Sequence, residues 1–192
     1  MGKKIIIITG SPRRQGNTVT VAGWVAEGAR RKGAEVELVD ACRLSAKVPG
    51  CCACMGCKQE TEYRCVIPDE VANLVNRLPE YDAIVLASPV YFFSWSAQLK
   101  IVIDRMYSLF RFEADQELTS LRNVQLAAVA TAGGTMQDGL DLLDKSLDKI
   151  TAIIGIPAKH FYVTNSPQDP QDLLPRYELM EKAMAFGAEL AG

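Results

Sequence analysis

Five of the six cysteines in this 192-residue chain fall between Pro49 and Cys65, in the stretch PGCCACMGCKQETEYRC. Cys51, Cys54 and Cys57 are separated by two residues each and Cys65 follows after seven more, a C-x2-C-x2-C-x7-C run. Thiolates are ligands of zinc and of iron–sulfur clusters, and gaps of two residues let three sulfurs turn inward from one tightly wound loop while a longer arm delivers a fourth. Structural zinc sites usually use two separated C-x2-C knuckles instead. A disulfide framework belongs to oxidising compartments, and a bridge between neighbouring Cys51 and Cys52 would be strained. Cys42 and Cys52 are taken as ordinary small residues. A cluster or zinc on these thiols, or no metal at all, stay open on spacing alone.

A second stretch with chemical potential is TGSPRRQGNT, Thr9 to Thr18, directly after a run of isoleucines. Backbone N–H groups, the Ser11 and Thr18 hydroxyls, the Asn17 amide and an Arg13 or Arg14 guanidinium can wrap a phosphate at a helix N-terminus. Gly10 and Gly16 do not make a nucleoside triphosphate loop, because Asn-Thr stands where that loop has its lysine, and the three-glycine dinucleotide fingerprint is absent. Further on, SPVYFFSWSAQLKIVIDRMY crowds Tyr91, Phe92, Phe93 and Trp95 at a strand end, where aromatic rings can flank a planar heterocycle. Taken singly, Phe93 and Trp95 are expected to be core residues. TAGGT at 131–135 offers glycines that let backbone approach a ring closely.

Other polar residues carry less. His160 is the only histidine and sits beside a short strand, so a Ser-His-Asp or Cys-His hydrolase is discarded. Asp104 and Arg105 are expected in surface or packing pairs. Asp138, Asp141, Asp144 and Asp148 read as a solvated helix face, without the loop spacing of an oxygen-ligand metal site.

The elements that must position these stretches alternate. Lys3–Ile8, Glu35–Val39, Asp82–Ala87, Val124–Thr131 and Phe161–Thr164 are short apolar runs expected as strands. Helices are expected from Thr18 to Lys32 with Asn17 as cap, from Pro68-Asp69-Glu70 toward Leu78, from Ser96 to Phe110, from Gly139 to Ile154 and from Asp172 to Leu190. The pattern predicts one α/β domain over 1–192. It has a parallel sheet flanked by helices, a cysteine-rich insertion at about 42–67, and its chemistry at the carboxyl ends of the strands.

Composition sets the outer limits. Hydrophobic residues make up 48% and charged residues 23%, with a net charge of -2, which leaves no basic footprint for nucleic acid. No segment nears the roughly twenty apolar residues of a membrane span, and Ile5–Ile8 is too short for a signal-peptide core, so a cytoplasmic protein is expected.

Together, TGSPRRQGNT, SPVYFFSWSAQLKIVIDR and TAGG, with CVIPDEV at 65–71, resemble the NAD(P)H-dependent FMN reductase family over most of the first 160 residues. The resemblance implies a flavodoxin-like sheet of five parallel strands in the order 2-1-3-4-5. It further implies an FMN whose phosphate sits on Ser11, Arg13, Asn17 and Thr18, beside Arg14 and Gly16. The flavin ring would lie on Pro89, Val90, Tyr91 and Phe92 with Ser94 nearby, its far edge at Ala132, Gly133 and Gly134. Arg13 replaces a lysine of the family's first loop, keeping charge but changing geometry. The cysteine run resembles the iron–sulfur flavoprotein branch and implies a [4Fe-4S] cluster on Cys51, Cys54, Cys57 and Cys65. A homodimer or homotetramer is implied, with a nicotinamide (NAD(P)H) or ferredoxin as donor and a quinone, oxygen or peroxide as acceptor. The alternatives are a cluster-free NAD(P)H-dependent FMN or quinone reductase with spare thiols, and a carrier or interaction module that keeps the fold without the flavin.

Overall fold

The structure is a computed structural model describing residues 2–112 and 117–192. In chain order the elements are β1 (Lys4–Thr9), α1 (Asn17–Arg31), β2 (Glu35–Asp40), α2 (Glu70–Arg77), β3 (Ala83–Pro89), α3 (Ala97–Arg105), β4 (Phe110–Phe112), β5 (Glu117–Thr119), β6 (Gln125–Thr131), α4 (Asp141–Ile154), β7 (Lys159–Val163) and α5 (Tyr177–Ala191). The main sheet runs β2-β1-β3-β6-β7 with every pair parallel. With the small β4–β5 hairpin set aside, this is the expected order 2-1-3-4-5.

The isoleucines of β1 show why the sheet is buried on both faces. Ile5 and Ile7 join the core made with α1 and α5, while Ile6 and Ile8 join the core made with α2, α3 and α4. Alternate side chains of a strand point to opposite faces, so only a run apolar at every position can fill two cores. Helices α1 and α5 cross closely enough to require glycine. A Cβ on Gly187 would lie 1.9 Å from the Val25 carbonyl oxygen, and one on Gly28 equally close to that of Met184.

Several boundaries differ from the sequence expectation, each for a local reason. Asn17 is the first residue of α1 and not its cap; Gly16 takes the cap position, its carbonyl accepting from Thr20 N–H at 3.0 Å. Helix α3 stops at Arg105 and not at Phe110, because the Ser108 hydroxyl donates to the Arg105 carbonyl (2.9 Å) and the chain tightens into a 3-10 turn over Met106–Leu109 before the hairpin. Gly139 lies at φ 112, outside helical space, so α4 begins at Asp141. A 3-10 turn at Pro170–Leu173, followed by Pro175, delays α5 to Tyr177. Strand β7 starts two residues earlier than expected and includes His160, whose ring stacks on Tyr162 and whose Nδ1 lies 3.4 Å from Asp144. No helix among the described residues is long and apolar enough to cross a membrane.

Candidate functional site

The order of the sheet reverses between β1 and β3, and the carboxyl ends of β1, β3 and β6 meet there. A cavity of about 340 Å³ opens at this edge, within the size range of small-molecule sites. One end is built by the loop after β1: Ser11, Arg13, Gly16, Asn17 and Thr18 all line it. Ser11 is buried, and its hydroxyl both accepts from Arg13 N–H and donates to Arg13 C=O, which winds the loop into a tight nest. Gly16 is needed for that winding: a Cβ would meet Arg13 Cβ at 2.9 Å and Ser11 Oγ at 3.2 Å. The Arg13 side chain is exposed at the rim. The Thr18 hydroxyl is committed to Thr131 Oγ1 at 2.7 Å, tying α1 to β6 beneath the cavity.

Asn17 lines the cavity while its amide nitrogen donates to Pro167 C=O at 2.7 Å, leaving the buried Oδ1 without a partner. That contact draws Ser166, Pro167 and Gln168 to the end of the cavity built by the loop after β1, and all three line it. Ser166 N–H to Ala132 C=O (2.9 Å) and Asn165 N–H to Gly134 C=O (2.8 Å) fasten the same loop to the end of β6. Ser166, Pro167 and Gln168 were not among the expected site residues, although Pro167 and Pro170 mark a loop there, and Thr131 had entered the candidate site stretches only as the first residue of TAGGT.

The opposite wall is Pro89, Val90 and Tyr91, with Ala132 and Gly133 across from them. Gly133 faces open space, since a Cβ there would meet nothing within 4 Å. Arg14, Phe92, Ser94 and Gly134 stand outside the cavity lining. Gly134 is backed by Asp138, whose carboxylate accepts from Thr135 N–H at 2.7 Å and is held below its ordinary value by that bond and by the Thr135 hydroxyl. Ser94 closes a two-residue hairpin with Tyr91 through reciprocal N–H to C=O bonds of 3.1 and 3.2 Å. Its central residues, Phe92 (φ 46) and Phe93 (φ 64), are both left-handed, a turn that ordinarily selects Asn-Gly. Phe92 is 94% exposed and Phe93 is also exposed, against the core expectation for Phe93; Trp95 is buried as expected. The turn holds two exposed aromatic rings directly after Tyr91, the last residue of that wall, at a cost in backbone strain.

From this edge α3 leads to the cysteines. Ser96 caps it, its hydroxyl accepting from Leu99 N–H, and Ser96 N–H donates to Ser88 Oγ at 2.9 Å, which locks the helix start to β3. The far end is Arg105. Cys51, Cys52, Cys54, Cys57 and Cys65 all line one small cavity there, with Arg105, Tyr107 and Ser108. Cys57 and Cys65 are buried, and Cys51, Cys52 and Cys54 are exposed. Ala53 (φ 52) and Met55 (φ 57), on either side of Cys54, take left-handed conformations that non-glycine residues seldom adopt, and these wind the loop about the cavity. Cys42 lies apart, in the 3-10 turn after β2; burial and the nearby Asp40 carboxylate push its thiol up to about 11.

Three cations pin this segment to the body of the fold. Lys58 donates to the carbonyls of Phe110 (2.6 Å) and Tyr107 (3.2 Å) and lies over the Tyr107 ring, and burial pushes its ammonium down. Arg111 reaches the Glu62 carbonyl at 2.7 Å. Burial pushes the Cys57 thiol up, opposed by Lys58 and Arg111. The third cation is Arg105, which the sequence reading placed in a surface or packing pair. It is 1% exposed and pairs with buried Asp69 at 2.9 Å, while Asp104 pairs instead with Lys100.

Among the described residues no group of three or more His, Cys, Asp or Glu side chains is placed to hold a single metal ion. A four-iron cluster takes one thiolate per iron at the corners of a cube, so its ligands need a shared space and not a common point. The donor set of five thiols around one cavity fits that chemistry. The strand-edge cavity likewise fits a phosphorylated flat ring: an N–H-rich nest with an arginine at one end and an apolar wall at the other.

Comparison with known proteins agrees with this geometry. The sequence model described as NADPH-dependent FMN reductase matches residues 3–167. An iron-sulfur flavoprotein of Methanosarcina thermophila is 31% identical over 144 residues, 75% of this chain and 70% of that protein. Another, of Methanocaldococcus jannaschii, is 37% identical over 102 residues, 53% of this chain and 51% of that protein, and one of Archaeoglobus fulgidus is 38% identical with 45% of its length covered. The chain thus spans about half the length of the latter two relatives. Among solved structures, an NAD(P)H:quinone oxidoreductase from Methanothermobacter marburgensis superimposes with a TM-score of 0.74 at 18% identity, covering 99% of this chain and 100% of that one. An FMN-dependent NADH-azoreductase from Bacillus anthracis in complex with FMN gives 0.73 at 14% identity, with the same coverage. These two likenesses speak to the fold.

Proposed function

The chain belongs to the NADPH-dependent FMN reductase family, in its iron–sulfur flavoprotein branch, and from that premise we propose a redox protein that passes electrons between an FMN and a [4Fe-4S] cluster. The observation that carries the proposal is the placement of both candidate sites at the two ends of α3. Ser96 fixes its start beside the strand-edge cavity, and Arg105 ends it at the cysteine cavity, nine residues or about 13 Å of helix away.

When bound, FMN supplies two-electron exchange with a nicotinamide or quinone and one-electron exchange with a cluster. The chain's own residues hold and shield. Arg13 and the N–H groups of the Ser11–Gly16 nest offset the phosphate charge, and the Asn17–Pro167 tether keeps Ser166–Gln168 over it. Pro89, Val90 and Tyr91 present an apolar wall to the ring and exclude water from one side of it. Cys51, Cys54, Cys57 and Cys65 would hold the cluster, with Cys52 as a neighbour on the same cavity. No acidic or basic side chain is assigned a proton-transfer step. The donor is a nicotinamide or a reduced ferredoxin, the acceptor a quinone, oxygen or peroxide, and the unit a homo-oligomer.

The test is to prepare the protein without oxygen, mix it separately with NADPH and with reduced ferredoxin, and follow flavin absorption together with low-temperature electron paramagnetic resonance. The proposal expects electrons to reach both centres. Flavin bleaching with no cluster signal selects a cluster-free reductase. Protein that takes up no FMN removes both.

A further inference from the structure

The buried guanidinium of Arg105 makes more contacts than an ion pair needs. One arm is neutralised by Asp69, which caps α2 by accepting from Ala72 N–H (2.9 Å) and also accepts from Lys47 N–H (3.0 Å). The remaining donors go to the cysteine segment. Nε donates to the Gly50 carbonyl, the residue immediately before Cys51, and Nη2 reaches the Val48 carbonyl at 3.4 Å. Nη1 donates to Cys65 Sγ at 3.1 Å. Cys65 is held from its other side as well: Asn76 accepts from its N–H at 2.7 Å and donates to its C=O at 3.1 Å. One planar fork therefore joins the first and last portions of the C-x2-C-x2-C-x7-C run and sets both the place and the direction of one sulfur.

We infer that Arg105 is a positioning residue for the cysteine centre: its Nη1–H to Cys65 Sγ bond fixes that ligand and tunes the reduction potential of the cluster. The inference rests on the function proposed above. Hydrogen bonds and positive charge at a ligating sulfur stabilise the more negative, reduced state of a cluster, so they raise its potential. Burial removes the competing water, which strengthens the effect. Lysine cannot replace the fork, since a single ammonium cannot face Asp69, Gly50, Val48 and Cys65 with oriented N–H groups.

A purely structural tie would behave differently, and the variants are chosen to separate the two. Arg105→Gln alone strands the Asp69 carboxylate in the interior and risks misfolding, so it is made with Asp69→Asn, which removes both buried charges. Asp69→Asn alone keeps the bond to sulfur and serves as the reference, and Arg105→Lys tests rescue. All are reconstituted anaerobically with iron and sulfide and titrated electrochemically. The expected result is a cluster potential at or above that of the wild type for Asp69→Asn, which leaves the guanidinium charge uncompensated beside the sulfur. For Arg105→Gln/Asp69→Asn and for Arg105→Lys it is a lower potential with altered resonance lines, the flavin couple unmoved. The chelator concentration that strips half the iron should fall about tenfold in the same two. If Arg105→Gln/Asp69→Asn matches Asp69→Asn in potential and spectrum, the tuning role is overturned and Arg105 is a fold tie only. If the wild type itself takes up no iron, the proposed function falls first and this inference with it.

Discussion

The hydroxyls of Thr18 and Thr131 lie 2.7 Å apart and buried, joining the first turn of α1 to the carboxyl end of β6 under the floor of the strand-edge cavity. Removing one leaves the other unsatisfied, at about 1–3 kcal/mol, whereas removing both costs less than the sum. Thr18→Val and Thr131→Val should each lower the urea midpoint, and the double variant should recover part of the loss. Strict additivity would mean the two hydroxyls do not interact.

The proposed function puts Arg13 on the FMN phosphate and not on the ring. Arg13→Ala should weaken FMN binding by about tenfold or more, the worth of one hydrogen bond to a charged group. Riboflavin, which lacks the phosphate, should bind wild type and variant alike. Equal losses for both ligands, measured by quenching of flavin fluorescence, would place Arg13 elsewhere.

Asp69 gives the acid limb of stability. Burial alone would raise its carboxyl, but the N–H groups of Ala72 and Lys47 and the Arg105 guanidinium together hold it below the ordinary value of 3.8. A carboxyl depressed in the folded state contributes stability that is present above the unfolded value and lost as pH falls through the folded one. Asp69→Asn should therefore be less stable than wild type at pH 7, by about 3 kcal/mol for a broken buried pair. The gap should close as pH drops below about 4. A gap that stays constant in urea titrations across that range would contradict the assignment.

At the crossing of α1 and α5, Gly187→Ala would force a methyl group to within 1.9 Å of the Val25 carbonyl oxygen unless the helices part. A loss of about 1–3 kcal/mol is expected. FMN affinity of the folded fraction should be unchanged, because neither helix meets the cavity at that level.

The main sheet was legible in the sequence because strands buried on both faces must be apolar at every position, as Ile5–Ile8 and Ala83–Ala87 are. The grouping of the nest residues, and of the cysteine run, was legible because each set lies close together in sequence and shares one cavity in the fold. What spacing hid were contacts made at long range. The helical pattern of Leu99, Val102, Ile103 and Met106 runs on past Arg105, and beyond the local Ser108 hydroxyl that takes the Arg105 carbonyl, spacing does not show that Lys58 will claim the Tyr107 and Phe110 carbonyls or that a hairpin will follow. Arg105 was legible as a member of a pair but its partners were not, because burial of a cation is decided by what it meets, and Asp69 and Cys65 are 36 and 40 residues away. The left-handed Phe92-Phe93 turn was equally hidden, since it contradicts the residue preference that sequence reasoning relies on.

The central claim is that one chain carries both centres, and the direct measurement is flavin, iron and acid-labile sulfide per chain in protein purified and kept without oxygen. The account predicts about one FMN with about four irons and four sulfides. One FMN with no iron, in protein never exposed to air and offered iron and sulfide, would contradict it.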